Sequence, residues 1–299
     1  MESSDNALLV IGARSLIGRR LREVAGEWPG PVRFTSRKPL DNQSLILNFE
    51  APESFRPGMN FCTVIVCTPI WLLQEKLLNH LVKVGMTRLV AFSSTSVFTK
   101  GDSETDEERV VVGKLSAGEK SMIDFCEARG VAWTILRPTL IYDEGFDENV
   151  TRMAAMIRRF GLFPVCGPAD GLRQPVHARD LAQAAITVAM TGATRNKAYN
   201  VPGGETLTYR AMAGRIFSAL GRKPLIVDVP QWAWRLGFGM LDILQPGRKL
   251  KRNIGMVLRM NQDLRFDPAP AIADFGYAPG PFTPDFSETG PDREASSVR

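Results

Sequence analysis

The stretch Ala7-Leu8-Leu9-Val10-Ile11-Gly12-Ala13-Arg14-Ser15-Leu16-Ile17-Gly18 decides the fold. Ala7–Ile11 is an unbroken apolar run, which reads as a strand buried on both faces. Gly12 closes it. From Ser15 to Ala25 the apolar residues Leu16, Ile17, Leu21 and Val24 recur at helical spacing. A tight strand-to-helix turn needs a residue that tolerates positive φ, and close approach of the backbone to a phosphate needs no side chain in the way. The start of the helix then offers free N–H groups and the positive end of its dipole to a pyrophosphate. A tight turn that binds nothing would also use these glycines. Their place between a first strand and a first helix, at the head of an alternating chain, favours a dinucleotide.

Outward from this turn, strands and helices alternate. Pro31–Thr35 and Ser44–Asn48 read as strands, and Thr63–Cys67 is a β-branched buried strand ending in Thr68-Pro69. Trp71–Val84 is predicted helical, with Leu73, Leu77, Leu81 and Val84 on one stripe. Arg88–Phe92 is a strand, Glu107–Arg129 a long helix and Ala132–Leu136 a strand. This alternation predicts an α/β fold: a Rossmann-type, doubly wound parallel sheet with helices on both faces.

After Tyr142 the pattern changes. Helices are expected over Asn149–Phe160, Asp180–Met190 (capped at Asp180), Thr208–Leu220 and the aromatic-rich Gln231–Leu244, with short strands at Ala198–Val201 and Leu225–Val229. The expected organisation is a dinucleotide-binding core over 1–142, completed by 175–202. A smaller C-terminal substrate domain takes 143–174 and 203–277. The tail 278–299, rich in Pro, Ser, Asp and Glu, is expected to be disordered.

The chain has 299 residues, 44% hydrophobic and 23% charged, values of an ordinary globular protein. Its net charge of +5 is spread along the sequence apart from Arg248, Lys249, Lys251 and Arg252. A diffuse excess favours small anionic ligands and gives no argument for nucleic acid. Cys62, Cys67, Cys126 and Cys166 form no CxxC pair, and His80 and His177 are the only imidazoles, so no metal site is expected. The cysteines in apolar surroundings, the polar acidic start Met1–Asn6 and the lack of a run of roughly 20 apolar residues imply a cytoplasmic protein without a transmembrane segment.

Several segments resemble the extended short-chain dehydrogenase/reductases, the branch of NAD-dependent epimerases and dehydratases. Gly12 and Gly18 match the outer glycines of that family's G-x-x-G-x-x-G turn, and Ser15 replaces the middle one. Val64–Thr68 looks like the family's fourth strand, and Phe92-Ser93-Ser94-Thr95-Ser96-Val97-Phe98 is similar to its F-S-S-x-x-V-Y segment. Thr134–Pro138 resembles its T-I-L-R-P strand, Pro175–Asp180 its P-V-H-V-x-D segment, and Tyr199-Asn200-Val201 its returning Y-N-V strand. The resemblance covers most of the chain. It implies a nicotinamide dinucleotide held by Gly12, Arg14, Ser15, Leu16, Ile17 and Gly18, with Arg37, Thr68 and Pro138 nearby. It also implies a small-molecule substrate such as a nucleotide sugar, and a homodimer formed through the helices at Trp71–Val84 and Glu107–Arg129.

Thr35-Ser36-Arg37-Lys38 carries no acid at the position where a carboxylate would bind a ribose 2′-hydroxyl. Arg14 and Arg37 offer planar forks suited to a 2′-phosphate, which favours NADP(H) over NAD(H). Read blandly, Arg14, Arg37 and Lys38 are solvated surface cations.

The family's chemistry uses Tyr-x-x-x-Lys on one helix face, together with a Ser or Thr after the fifth strand. That serine is Ser94. The helix reads Val110-Val111-Val112-Gly113-Lys114-Leu115-Ser116. With Lys114 as the family lysine, the tyrosine position is Val110; with Gly113 aligned on the usual Tyr-Gly, it is Val112 and the lysine becomes Ser116. Neither register holds a tyrosine, and valine cannot pass a proton. Tyr142, Asp143 and Glu144 are substitute donors to be weighed against an ordinary loop. Ser94 and Lys114 are the remaining catalytic candidates. Arg152, Arg158, Arg159 and Arg173 could meet a nucleotide diphosphate or be solvated, and His177 reads as a turn-holding residue, with a catalytic role as the alternative.

The expected function is an atypical epimerase/dehydratase-like oxidoreductase acting on a sugar nucleotide or a similar carbonyl or alcohol. The alternative is a non-catalytic NADP(H)-binding protein, similar in plan to the dinucleotide-binding accessory subunit of respiratory complex I. The apolar segment from Trp232 to Leu244, followed by the basic cluster, reads as core packing of the substrate domain or as peripheral membrane contact.

Overall fold

A computed structural model describes residues 6–38, 44–99, 106–244, 255 and 257–287. The strands β1 (Leu8–Ile11), β2 (Val32–Ser36), β3 (Leu45–Ile46), β4 (Thr63–Val66), β5 (Arg88–Phe92) and β6 (Ala132–Pro138) lie in one parallel sheet. β7 (Ile141–Tyr142), β8 (Phe163–Cys166), β9 (Leu172–Arg173) and β10 (Val176–His177) lie outside it, and β11 (Lys197–Val201) returns to its edge. The resulting seven-stranded order is β11-β6-β5-β4-β1-β2-β3, with every pair parallel. The strand order reverses between β1 and β4, so a crevice opens at their carboxyl ends, the place where open α/β sheets bind ligands.

The period of two in β1 assigns its side chains to two cores. Leu9 and Ile11 face α2 (Glu75–Lys83) and α3 (Asp106–Arg129), through Leu77, Leu81, Leu115 and Met122. Leu8 and Val10 face α1 (Leu16–Val24) and α5 (Ala178–Met190), through Ile17, Leu21, Leu181 and Ile186. Both faces of the sheet are therefore covered, as the unbroken apolar strands require.

A third core belongs to the C-terminal region. It joins α4 (Val150–Phe160) and α6 (Tyr209–Ala219) with β8, which pairs in parallel with β13 (Ile226–Val229). The short β12 (Leu207–Thr208) pairs antiparallel with β9. Among the described residues, no helix is long and apolar enough to cross a membrane.

Four local expectations need correction. The predicted helix Trp71–Val84 begins as a 3₁₀ turn at Ile70–Leu72 and becomes α2 only at Glu75. That turn lies so close to α3 that a Cβ on Gly118 would sit 2.9 Å from the Trp71 nitrogen. Helix α5 is capped by His177, whose Nδ1 accepts the Arg179 amide at 3.0 Å, while Asp180 accepts the Gly280 amide at 3.1 Å. The tail does not begin at Ala278: residues 278–287 are packed, with Phe282 fully buried and Phe286 nearly so in the C-terminal core. Residues 288–299 lie outside the described part. In α7 (Gln231–Leu244), Trp234 packs on the C-terminal core, but Trp232 and Leu236 are 65% and 60% exposed. The basic cluster at 248–252 lies outside the described residues.

Candidate dinucleotide and substrate site

Gly12 takes φ +93°, a conformation that L side chains rarely adopt. A Cβ there would also stand 2.8 Å from Thr68 Cγ2 across the crevice. Gly18 has a different task. A Cβ on it would lie 2.2 Å from the Gly12 carbonyl oxygen, so only glycine lets α1 pack this closely on the turn. Both requirements are those of a dinucleotide cradle.

Ser15, in place of the family's middle glycine, has φ −66° and needs no glycine. Its Oγ accepts the Gly18 amide at 3.0 Å and so caps the helix. That bond removes one first-turn amide from those open to a phosphate. The amides of Leu16 and Ile17 precede the first i→i−4 bond, Arg19 N–H to Ser15 O at 3.0 Å. Further along the crevice, the hydroxyls of Thr68 and Ser93 are buried without a hydrogen-bond partner at the ends of β4 and β5. Two orphaned hydroxyls beside a cradle that a Cβ would fill are what a bound polar ligand resolves. These residues fit a nicotinamide dinucleotide.

A cavity of about 860 Å³ runs from Arg14, Ser15 and Leu16 past Ser94, Ser96 and Thr139 into the C-terminal region. Its far wall is apolar, built by Met153, Met156, Phe163, Met212, Trp234 and Met260. Ser94 follows β5, accepts the Ser96 amide at 3.1 Å and donates to Ser96 Oγ at 3.0 Å. Thr95 is pinned behind it, donating to the Pro138 carbonyl at 3.1 Å. The structure thus brings Arg14, Ser15, Leu16 and Ser94 to one space. Ile17 and Pro138 are buried in support, and Arg37 and Lys38 are exposed past the end of β2.

Lys114 is exposed and contributes nothing to the lining. The inward face of α3 begins with Glu108 and Val112, while Val110, Val111 and Ser116 are exposed. No tyrosine stands on this helix in either register. The carboxylate of Glu108 instead binds Arg259, a residue of the cavity wall, through both terminal guanidinium nitrogens.

The loop candidates are engaged elsewhere. Tyr142 is buried edge-on between His177 and Phe282, and burial raises its hydroxyl well above the ordinary range. Asp143 is held by Arg20 of α1 at 2.6 Å. Glu144 receives His177 Nε2 at 3.1 Å and the Asp285 amide at 3.1 Å. Burial alone would raise the Glu144 carboxyl, yet these hydrogen bonds hold it below its usual value. Asp143, Glu144 and His177 lie close enough to share a cation. The Arg20 guanidinium already fills that role for Asp143, and both His177 nitrogens are committed.

One polar residue beside this wall escaped sequence reading. Tyr209 opens α6 and buries its ring, and among the described residues its hydroxyl meets only Met153 Sδ, at 3.7 Å. Arg173 lies over the Tyr209 ring, its guanidinium carbon 5.4 Å from the ring centre. Arg173 stood among the candidate cations, but nothing in the sequence marks its partner.

Residues 70–202 match the model of the NAD dependent epimerase/dehydratase family. A (4-alkanoyl-5-oxo-2,5-dihydrofuran-3-yl)methyl phosphate reductase from Streptomyces griseus is 26% identical over 227 residues, which span 72% of this chain and 74% of that protein. The fold is similar to that of UDP-glucose 4-epimerase from Thermotoga maritima, solved with UDP-glucose, with a TM-score of 0.65 at 14% identity over 98% of this chain and 96% of that one. It is also similar to a short-chain dehydrogenase/reductase superfamily protein from Agrobacterium tumefaciens with bound NAD, with a TM-score of 0.66 at 11% identity over 98% of each chain. Over 70–202 the chain is similar in sequence to the NAD dependent epimerase/dehydratase family, and over nearly its whole length it shares the fold of these solved structures.

Proposed function

We propose that the chain is an oxidoreductase that uses NADP(H) to move a hydride at a small carbonyl or alcohol substrate, without the family's tyrosine. The observation that carries this reading is one continuous cavity joining the dinucleotide turn at Arg14–Leu16 to Ser94 and to a largely apolar chamber. A protein that only stored a dinucleotide would need the cradle but not the chamber.

The bound coenzyme supplies or takes up the hydride. The chain's own part is to hold and orient. Amides at the start of α1 and Arg14 take the pyrophosphate. Arg14 and Arg37, with no acid in 35–38, favour the 2′-phosphate of NADP(H). Ser94 lies at the junction of turn and chamber, and its hydroxyl is the group that would hold the substrate oxygen. The apolar wall excludes water from the reacting centre. The proton comes from a group other than a helix tyrosine, because Val110 and Val112 have none to give.

The Streptomyces griseus reductase acts on a furanone carrying an alkanoyl chain and a phosphate, and the Thermotoga maritima epimerase was solved with a nucleotide sugar. Both supply substrate classes for trial. A second reading, a non-catalytic dinucleotide-binding accessory protein, draws on the missing tyrosine and the exposed Lys114. The two part in one experiment: NADPH oxidation by purified protein over a panel of alkanoyl lactones, simple carbonyls and nucleotide sugars. Turnover that falls about a hundredfold in Ser94→Ala, with coenzyme affinity kept, supports the enzyme. Tight NADPH binding with no turnover across the panel supports the accessory protein.

A further inference from the structure

We propose that the chamber beyond Ser94 takes an anionic amphiphile: a molecule with an alkyl or acyl chain and a phosphate or carboxylate, and not a nucleotide sugar. This rests on the reading of the turn and Ser94 given above and names the substrate class of that same site.

Charge comes first. The cavity wall carries Arg14, Arg152, Arg173 and Arg259 against one acid, the exposed Glu148. Arg259 is neutralised by Glu108, and Arg14 sits at the pyrophosphate end. Arg152 and Arg173 remain for a second anion.

Arg173 is the better defined of the two. It is 5% exposed, and its Nη1 donates to the carbonyls of Leu172 and Gln262, each at 2.7 Å, while Nη2 donates to the Arg259 carbonyl at 2.5 Å. All three acceptors are neutral. Among the described residues its hydrogen bonds go to backbone carbonyls and to no carboxylate; Asp263 acts on its charge from a distance while binding the Leu172 amide. Burial pulls the guanidinium down to about 10, so it stays charged at neutral pH. A buried cation held by neutral groups sets a positive potential in its cavity.

Beside it, the Tyr209 hydroxyl is buried with only a thioether to bond among the described residues. A sulfur acceptor is weak, so this O–H is available to an oxygen of a ligand. Burial pushes it up to about 12, which keeps it a donor at neutral pH. Arg173 and Tyr209 together form an anchor for an anionic oxygen.

Ser96, Thr139, Asn149 and Gln174 also line the cavity, but its far wall argues against a sugar there. Met153, Met156, Phe163, Met212, Trp234 and Met260 present thioethers and rings. Sugar hydroxyls pressed against them would be stripped of water and left unpaired, each at about 1–3 kcal/mol. A hydrocarbon chain meets no such loss, and methionines adapt to its shape.

The test uses the full chain saturated with NADPH, titrated with butyl, hexyl and octyl phosphate and followed by calorimetry and by tryptophan fluorescence. Affinity is expected to rise about three- to fourfold per methylene, and octanol should bind at least tenfold more weakly than octyl phosphate. Octanoate in a parallel arm tells a carboxylate from a phosphate headgroup. Arg173→Met should weaken octyl phosphate about tenfold and leave octanol unchanged. If that variant does not fold, Tyr209→Phe keeps the ring and should still cost several-fold in affinity for the anion. Affinity independent of chain length, or UDP-glucose binding more tightly than octyl phosphate, overturns the proposal. A protein that fails to bind NADPH but still shows the chain-length series loses the oxidoreductase reading and keeps the chamber.

Discussion

Arg259 in the cavity wall lays both terminal guanidinium nitrogens on the carboxylate of Glu108, with Nη2 to Oε1 at 2.5 Å, and so ties the first turn of α3 to the C-terminal region. Both side chains are largely buried, at 13% and 10% exposed. Removing one partner leaves a buried charge without compensation. Glu108→Ala should therefore destabilise the fold by about 3–5 kcal/mol, read by chemical denaturation. The double replacement Glu108→Leu with Arg259→Met should recover most of that loss. A single variant as stable as the parent would mean that the pair is solvated and carries no strain across the two regions.

Gly18 gives a sharper expectation, because its would-be Cβ meets backbone and not a movable side chain. Gly18→Ala should weaken NADPH binding at least tenfold and lower stability by a few kcal/mol, from about 1 kcal/mol upward for overpacking. Gly12→Ala should act similarly through its positive φ. Ser15→Gly should do the reverse of neither. It removes the cap on the Gly18 amide, costing a few tenths of a kcal/mol, and frees one more donor for the phosphate.

Coenzyme preference is separable from coenzyme binding. Arg37→Ala should raise the dissociation constant for NADPH about tenfold, the loss of one charge-assisted contact to a 2′-phosphate, and leave NADH unchanged. Equal effects on the two coenzymes would remove Arg37 from the ribose site.

The acid limb of stability should pass through Glu144. Burial opposes its ionisation, but His177 and the Asp285 amide hold its folded pKa below the ordinary value. A depressed carboxyl stabilises the fold above its unfolded pKa, about 4.3, and that contribution is lost as pH falls through the lower folded value. Glu144→Gln should flatten the fall in melting temperature below pH 5 and leave the curve near neutrality with the same shape. An unchanged acid limb would place the sensitivity elsewhere.

The sheet was legible because its central strands β1, β4 and β5 each carry an apolar run that ends at Gly12, Thr68 or Ser93. The period of two needs no knowledge of distant partners. The C-terminal region was less legible for the opposite reason. Phe282 and Phe286 sit among Pro, Thr, Asp and Ser, a composition typical of disorder, and become core only because α4 and α6 supply a surface for them. The strand Phe163–Cys166 is four residues long, and its partner lies some sixty residues on, at Ile226–Val229. Trp232 and Leu236 read as core from hydropathy and are exposed. The site divides the same way: Arg14, Ser15 and Ser94 follow from local motifs, whereas the Arg173–Tyr209 anchor and the Glu108–Arg259 tie join residues that no spacing rule connects.

Everything in the site depends on the turn Gly12–Gly18 seating a dinucleotide pyrophosphate. Calorimetric titration of the full chain with NADPH and with NADH tests it most directly, with Gly18→Ala alongside. NADPH should bind saturably, one to one, in the micromolar range, NADH more weakly, and the variant at least tenfold more weakly. A folded parent protein that shows no heat of binding with either coenzyme at millimolar concentration would contradict it.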